Sequence, residues 1–185
     1  MKKLKFLALG LAGLMAFASC GKEDEKTAEN YNQTQVTLGG HYSSNGSFYT
    51  FDKGVQKQTE LGDVATNVIF CFSSAVPTGE VDENGKKIWE KIDPVQIISG
   101  TEAGNDIVKA QASETKFAKI KDATADAYEK ATAADFNMTV VEFDRKVTKG
   151  KTTIAFKNDK CEGFFEVVSF SEDTDDVTLN IWTKK

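Results

Sequence analysis

Short runs of alternating apolar and polar residues, each closed by a polar turn, dominate this chain from residue 35 onward. Successive side chains of a strand point to opposite faces, whereas the apolar stripe of a helix repeats every 3.6 residues. Such runs therefore demand a sheet. The clearest is Val177-Thr178-Leu179-Asn180-Ile181-Trp182, with Val177, Leu179 and Ile181 on one face and Thr178, Asn180 and Trp182 on the other. Residues 139–147, 152–156 and 163–170 read as three further strands. The polar stretches between them are short, which makes consecutive strands antiparallel neighbours. The expectation is a four-strand C-terminal meander whose buried face holds Val141, Phe143, Ile154, Phe156, Val168, Phe170, Leu179 and Ile181.

The first half carries the same signal more sparsely. Residues 35–38, 47–51, 67–73 and 95–99 read as strands. Residues 67–73 (NVIFCFS) are apolar on both faces, with Val68, Phe70 and Phe72 expected on one and Ile69 and Cys71 on the other, the mark of a central strand covered on two sides. Residues 77–87 (PTGEVDENGKK) read as a loop or exposed hairpin tip turning at Asn84-Gly85. One helix is expected over 123–135, capped by Asp122, with Ala125, Tyr128, Ala131 and Phe136 as a thin apolar face covering a sheet edge. The whole reads as an α+β, mainly β domain: an antiparallel sheet or sandwich with a C-terminal four-strand meander and one peripheral helix.

The N-terminus sets an address. Lys2, Lys3 and Lys5 form a positive region, residues 4–17 are otherwise an apolar core, and Ala18, Ser19 and Cys20 follow. That is the grammar of a secretory signal, too short for a spanning helix, which needs about 20 apolar residues. Residues 1–19 are expected to be a leader, 20–34 a lipidated cysteine and polar tether, and 35–185 one domain. A thiol at Cys20 accepts lipid, and several acyl chains together give stable anchoring where one is marginal.

Charge and composition narrow the partners. The chain carries a net charge of −5, and loss of a leader bearing three lysines takes −5 to −8 for the remainder. That excess of acid disfavours nucleic acid and anionic lipid surfaces, and no basic patch interleaved with aromatics stands out in the sequence. Cys71 and Cys161 are left as an even pair in an oxidising compartment, where a disulfide is allowed.

No residue pattern spells out a reaction. His41 is the sole histidine, which excludes a multi-histidine zinc site. A dyad of His41 with Cys71 or Cys161 would depend on geometry, and His41 beside Gly40 and Tyr42 reads as a turn residue. Ser113-Glu114-Thr115-Lys116 matches the S-x-x-K nucleophile pattern, but its companion motifs are missing. The acidic run 171–176 lacks the glycine and distal glutamate of a calcium loop and reads as a hairpin turn. No cofactor or metal is expected. Trp89, Tyr42, Tyr49 and Trp182 are candidates for a sugar-stacking platform. Trp89 and Tyr42 are the stronger pair, because Lys86, Lys87, Glu90 and Lys91 surround Trp89 on a polar segment.

Several segments in order resemble a family of Bacteroidota-type lipoproteins with a small β-rich domain: TLGGHYSSNGSFYTFDKG, NVIFCFSS, PVQIISG, TKFAKI, TIAFKNDKCEGFFEVVSF and VTLNIW. Phe156, Gly163 and Val167 match its late strand pair, while Lys160-Cys161 departs from its usual turn glycine. Phe17-Ala18-Ser19-Cys20 resembles a lipobox, with Phe17 as a departure. Cys20-x-Lys22-Glu23-Asp24 resembles the surface-export signal of that group. The resemblance implies an outer-membrane protein held by lipid on Cys20 and facing the cell surface, the periplasmic face being the alternative. It implies no catalytic residue. The expected function is a non-catalytic module for a glycan, a protein or another envelope component. A small hydrolase built on Glu102, Asp106 and Glu114 is the alternative.

Overall fold

A computed structural model describes residues 30–185. The leader, Cys20 and the acidic residues that follow it lie outside the described residues.

The described residues form two five-stranded antiparallel sheets and two short α-helices. Ten strands run in the order β1 (Tyr31–Gly39), β2 (Phe48–Thr50), β3 (Gly54–Gln56), β4 (Val68–Val81), β5 (Lys87–Ser99), β6 (Lys116–Lys119), β7 (Val140–Phe143), β8 (Thr153–Lys157), β9 (Glu162–Ser171) and β10 (Asp176–Lys184). One sheet has the order β1-β10-β9-β8-β6, the other β3-β2-β4-β5-β7. Helix α1 spans Asp106–Gln111 and α2 spans Ala125–Glu129.

The alternation explains the layers. Phe70, Phe72, Val95, Ile97, Val141 and Phe143 of the second sheet meet Ile154, Phe156, Phe165, Val167, Val177, Leu179 and Ile181 of the first in one buried cluster. Full burial of each such side chain contributes about 1.5–3 kcal/mol. The outward residues Phe48, Val68, Cys71 and Ile98 form a second cluster under Leu61, Ala65, Ala103 and Val108, so the segments flanking β4 and β5 roof that sheet. A third cluster lies on the outer face of the first sheet, where Tyr31, Ala118, Ala155 and Phe164 are covered by Tyr128 and Phe136. As its two-sided pattern requires, β4 is the central strand of its sheet.

Five expectations are corrected. The meander has three strands, not four, because β7 pairs with β5 in the opposite sheet. Arg145, just past β7, donates to the carbonyls of Ile92 and Ser74 and holds that end on β4 and β5. Val168 leaves the core. Ser169 faces Thr178 and Val167 faces Leu179, so Val168 is an extra residue on β9, and Phe165 and Val167 point inward instead. A similar bulge sits in β4: Tyr49 faces Phe70 and Thr50 faces Val68, which makes Ile69 the extra residue and turns Val68 to the outer cluster. The single expected helix shrinks to α2, a five-residue helix capped by Thr124, whose Oγ1 accepts from the Ala127 N–H. It covers a sheet face rather than an edge, and a second helix, α1, precedes it. Finally, β1 begins at Tyr31, so the polar residues 31–34 belong to the sheet and not to a tether.

Candidate functional site

Beyond residue 74, β4 and β5 part company with their other neighbours. β2 pairs with β4 over Val68–Cys71, and β7 pairs with β5 over Val95–Ile98. Residues 75–81 and 87–91 pair with each other alone, as a two-stranded ribbon. Its turn holds Gly85 at φ +75, with Asp82 Oδ1 accepting from the Asn84 and Lys86 N–H groups. Pro94 falls where the register breaks, Ser73 facing Gln96 and Ala75 facing Lys91.

The loop from Gly40 to Ser47 folds against the base of this ribbon. Its backbone is tied at almost every step. Gly39 N–H donates to the Gly46 carbonyl at 2.9 Å and Gly40 N–H to the Asp175 carbonyl at 2.7 Å. His41 N–H donates to Ser74 Oγ at 3.0 Å, and Tyr42 N–H to Asp175 Oδ2 at 3.0 Å. Ser74 Oγ in turn donates to Asp175 Oδ2 at 2.7 Å. Gly40 is required here, since a Cβ would collide with Ser74 Oγ and the Asp175 carboxylate.

Asp175 is the keystone. It lies in the β9–β10 turn with φ +55, the left-handed region that Asp tolerates better than most residues, and it is 3% exposed. Its Oδ1 has no hydrogen-bond partner. Ser74 is tied on its other side too: its carbonyl accepts from Arg145 Nη2 at 3.2 Å, and Arg145 Nη1 pairs with Glu172 Oε2 at 3.0 Å.

This scaffold presents three aromatic rings. The imidazole of His41 stacks on Trp89, centroids 4.3 Å apart and planes 21° from parallel. Tyr42 meets His41 at 87° with centroids 4.8 Å apart. The Tyr42 hydroxyl donates to the Trp89 carbonyl at 3.3 Å, and Lys91 Nζ lies over the Tyr42 ring, 5.4 Å from its centroid. Tyr42 is 53% exposed and His41 is also on the surface. Burial beside Trp89 lowers the His41 pKa, and the Asp175 charge opposes that shift.

The remaining sequence candidates scatter. Tyr49 is buried, stacked on Phe70 in the inter-sheet core. Trp182 stacks on Phe164 and packs into the outer cluster of the first sheet. Neither is part of a surface platform. Cys71 and Cys161 are free thiols. Cys71 is roofed on the outer face of the second sheet and Cys161 packs against the core between the sheets, so that sheet separates them. Burial pushes the Cys71 thiol up to about 12 and the Cys161 thiol to about 11. Glu102, Asp106 and Glu114 are exposed, and Glu114 pairs with Lys116 at 3.0 Å. Ser113 donates to Asp159. Among the described residues, no three His, Cys, Asp or Glu side chains gather as metal ligands.

Sequence reading singled out Trp89 and Tyr42, which the structure brings together; it read His41 as a turn residue and did not single out Ser74 or Asp175, which pack and bond with them. The charges it noted around Trp89 are sorted by the strand: Lys87, Trp89 and Lys91, two residues apart on β5, share one face of the ribbon. Comparison with protein-family models, with curated proteins and with solved structures returns no match.

Proposed function

We propose that this chain is a lipid-anchored, non-catalytic module of the outer membrane, facing the cell surface, which binds a glycan at the corner formed by Tyr42, His41 and Trp89. The observation that carries the reading is the clamped loop. His41 and Tyr42 are exposed residues of this loop, yet their N–H groups are held by Ser74 and Asp175 rather than left to water, which keeps the side chains they display in place. Ordering before binding removes an entropic cost that a flexible loop would incur on contact. Aromatic rings are the usual partners for the C–H faces of sugars, and here they come with polar groups at their edges. The anchor and the compartment are supported by the Cys20 context and by Lys22, Glu23, Asp24 and Glu25 after it.

The test uses the tryptophans. In a Trp182→Phe variant, Trp89 is the remaining indole, so its fluorescence reports on the corner. Titration with a panel of neutral and acidic oligosaccharides is expected to give a saturable change with at least one of them, abolished by Tyr42→Ala. A flat response across the panel rejects the glycan reading.

A further inference from the structure

The ribbon sorts its charges by face. Ala75 faces Lys91, Pro77 faces Trp89 and Val81 faces Lys87, while Val76 faces Glu90. Cross-strand partners share a face and neighbours alternate. One face therefore holds Lys87, Trp89 and Lys91 opposite Val81, Pro77 and Ala75, with no acid among these six positions. Glu90 lies on the reverse face with Val76, and Glu80 falls in the irregular stretch between Pro77 and Val81, where β4 carries extra residues. Asp82 is engaged by the turn N–H groups. Asp175, whose charge reaches His41, is sealed under the loop. Lys91 sits over Tyr42 and makes no ion pair among those of the described residues. In a chain with 28 acids against 23 basic residues, an acid-free strip beside an exposed aromatic corner is a local inversion of sign.

Resting on the glycan reading above, we propose that the ligand carries an acidic sugar, of uronate or sialate type, whose ring lies against Tyr42 and His41 and whose carboxylate meets Lys91 and Lys87. The net acidity of the molecule repels long polyanions, so the acidic sugar is an isolated or terminal one on an otherwise neutral glycan. Two exposed ion pairs of ordinary strength discriminate acid from neutral sugar by about tenfold.

The full-length chain in detergent is titrated with two matched pairs: sialyllactose against lactose, and a glucuronate-substituted xylo-oligosaccharide against the unsubstituted one. The acidic member of at least one pair is expected to bind about tenfold more tightly than its neutral partner. Lys91→Met and Lys87→Met are each expected to shrink that ratio, and added NaCl to shrink it in the wild type. Equal affinity within both pairs, with all binding lost in Tyr42→Ala, overturns the acidic-sugar inference and leaves the glycan site standing. A ratio that survives both lysine substitutions overturns it as well. No saturable binding to any of the four sugars overturns the inference, and together with a flat oligosaccharide panel it removes the glycan reading too.

Discussion

Asp175 shows how much one residue organises. Its carboxylate accepts from Ser74 and Tyr42, its carbonyl accepts from Gly40, and its backbone sits at positive φ. Replacing it by Ala orphans the Tyr42 N–H and the Ser74 hydroxyl and places a less tolerant residue at φ +55. Asp175→Ala is therefore expected to cost about 1–3 kcal/mol, against about 0.5 kcal/mol or less for exposed Asp173→Ala, read as urea midpoints at constant slope. Nothing in the run Ser171-Glu172-Asp173-Thr174-Asp175-Asp176 separates Asp175 from its acidic neighbours. Its role arises from Ser74, 101 positions away. His41 adds a pH dependence with a definite sign. Its folded pKa lies below the unfolded 6.5, so the unfolded chain binds the proton more readily. Stability from this residue is fully present above 6.5 and is lost as pH falls from 6.5 through the folded value. The fall in urea midpoint across that window is expected to be smaller in His41→Gln, and identical curves would contradict the burial of the ring beside Trp89. The thiols give a further check. Iodoacetamide is expected to label half-buried Cys161 ahead of buried Cys71 in the native protein, and a native disulfide would block both.

At the scale of elements, the period-two pattern identified most of the strands, and single extra residues decided which way they face. Strict alternation from Phe170 back along β9 puts Val168 in the core. The bulge after Val167 reverses that, because one inserted residue flips every side chain beyond it. Val167→Ala is accordingly expected to cost clearly more than Val168→Ala in urea unfolding. Phe156→Ala, in the centre of the shared core, is expected to cost about 3–5 kcal/mol, and Thr178→Ala, on the outward side, within about 0.5 kcal/mol. Equal midpoints for Phe156→Ala and Thr178→Ala would place the buried face wrongly. The helix was overread for a related reason. An alanine-rich stretch has high intrinsic propensity, but Thr132 bonds to Asp135 in a turn of its own and Tyr128 and Phe136 are both drawn onto the sheet. Packing against Phe164 outweighed propensity.

At the scale of the whole molecule, two sheets share one core and each carries a second apolar cluster on its outer face. Among the described residues no helix is long and apolar enough to cross a membrane. Under the lipoprotein proposal, Cys20→Ala is expected to lose incorporation of a fatty-acid analogue, and retained label would end that proposal. Protease added to intact cells is expected to digest the wild-type domain, and Ala at residues 22–25 to protect it with lipidation unchanged. The sequence by itself determined the strand-rich class, the central two-sided strand β4 and the ribbon turn at Gly85, because periodicity and turn chemistry are local properties of neighbouring residues. Only the tertiary structure decided that β7 joins the opposite sheet, that Cys71 and Cys161 stay apart, and that His41, Tyr42, Ser74, Trp89 and Asp175 form one site. Those outcomes depend on hydrogen bonds and packing between residues far apart in the chain, where pairing is selected by the whole fold and leaves no mark on any local pattern.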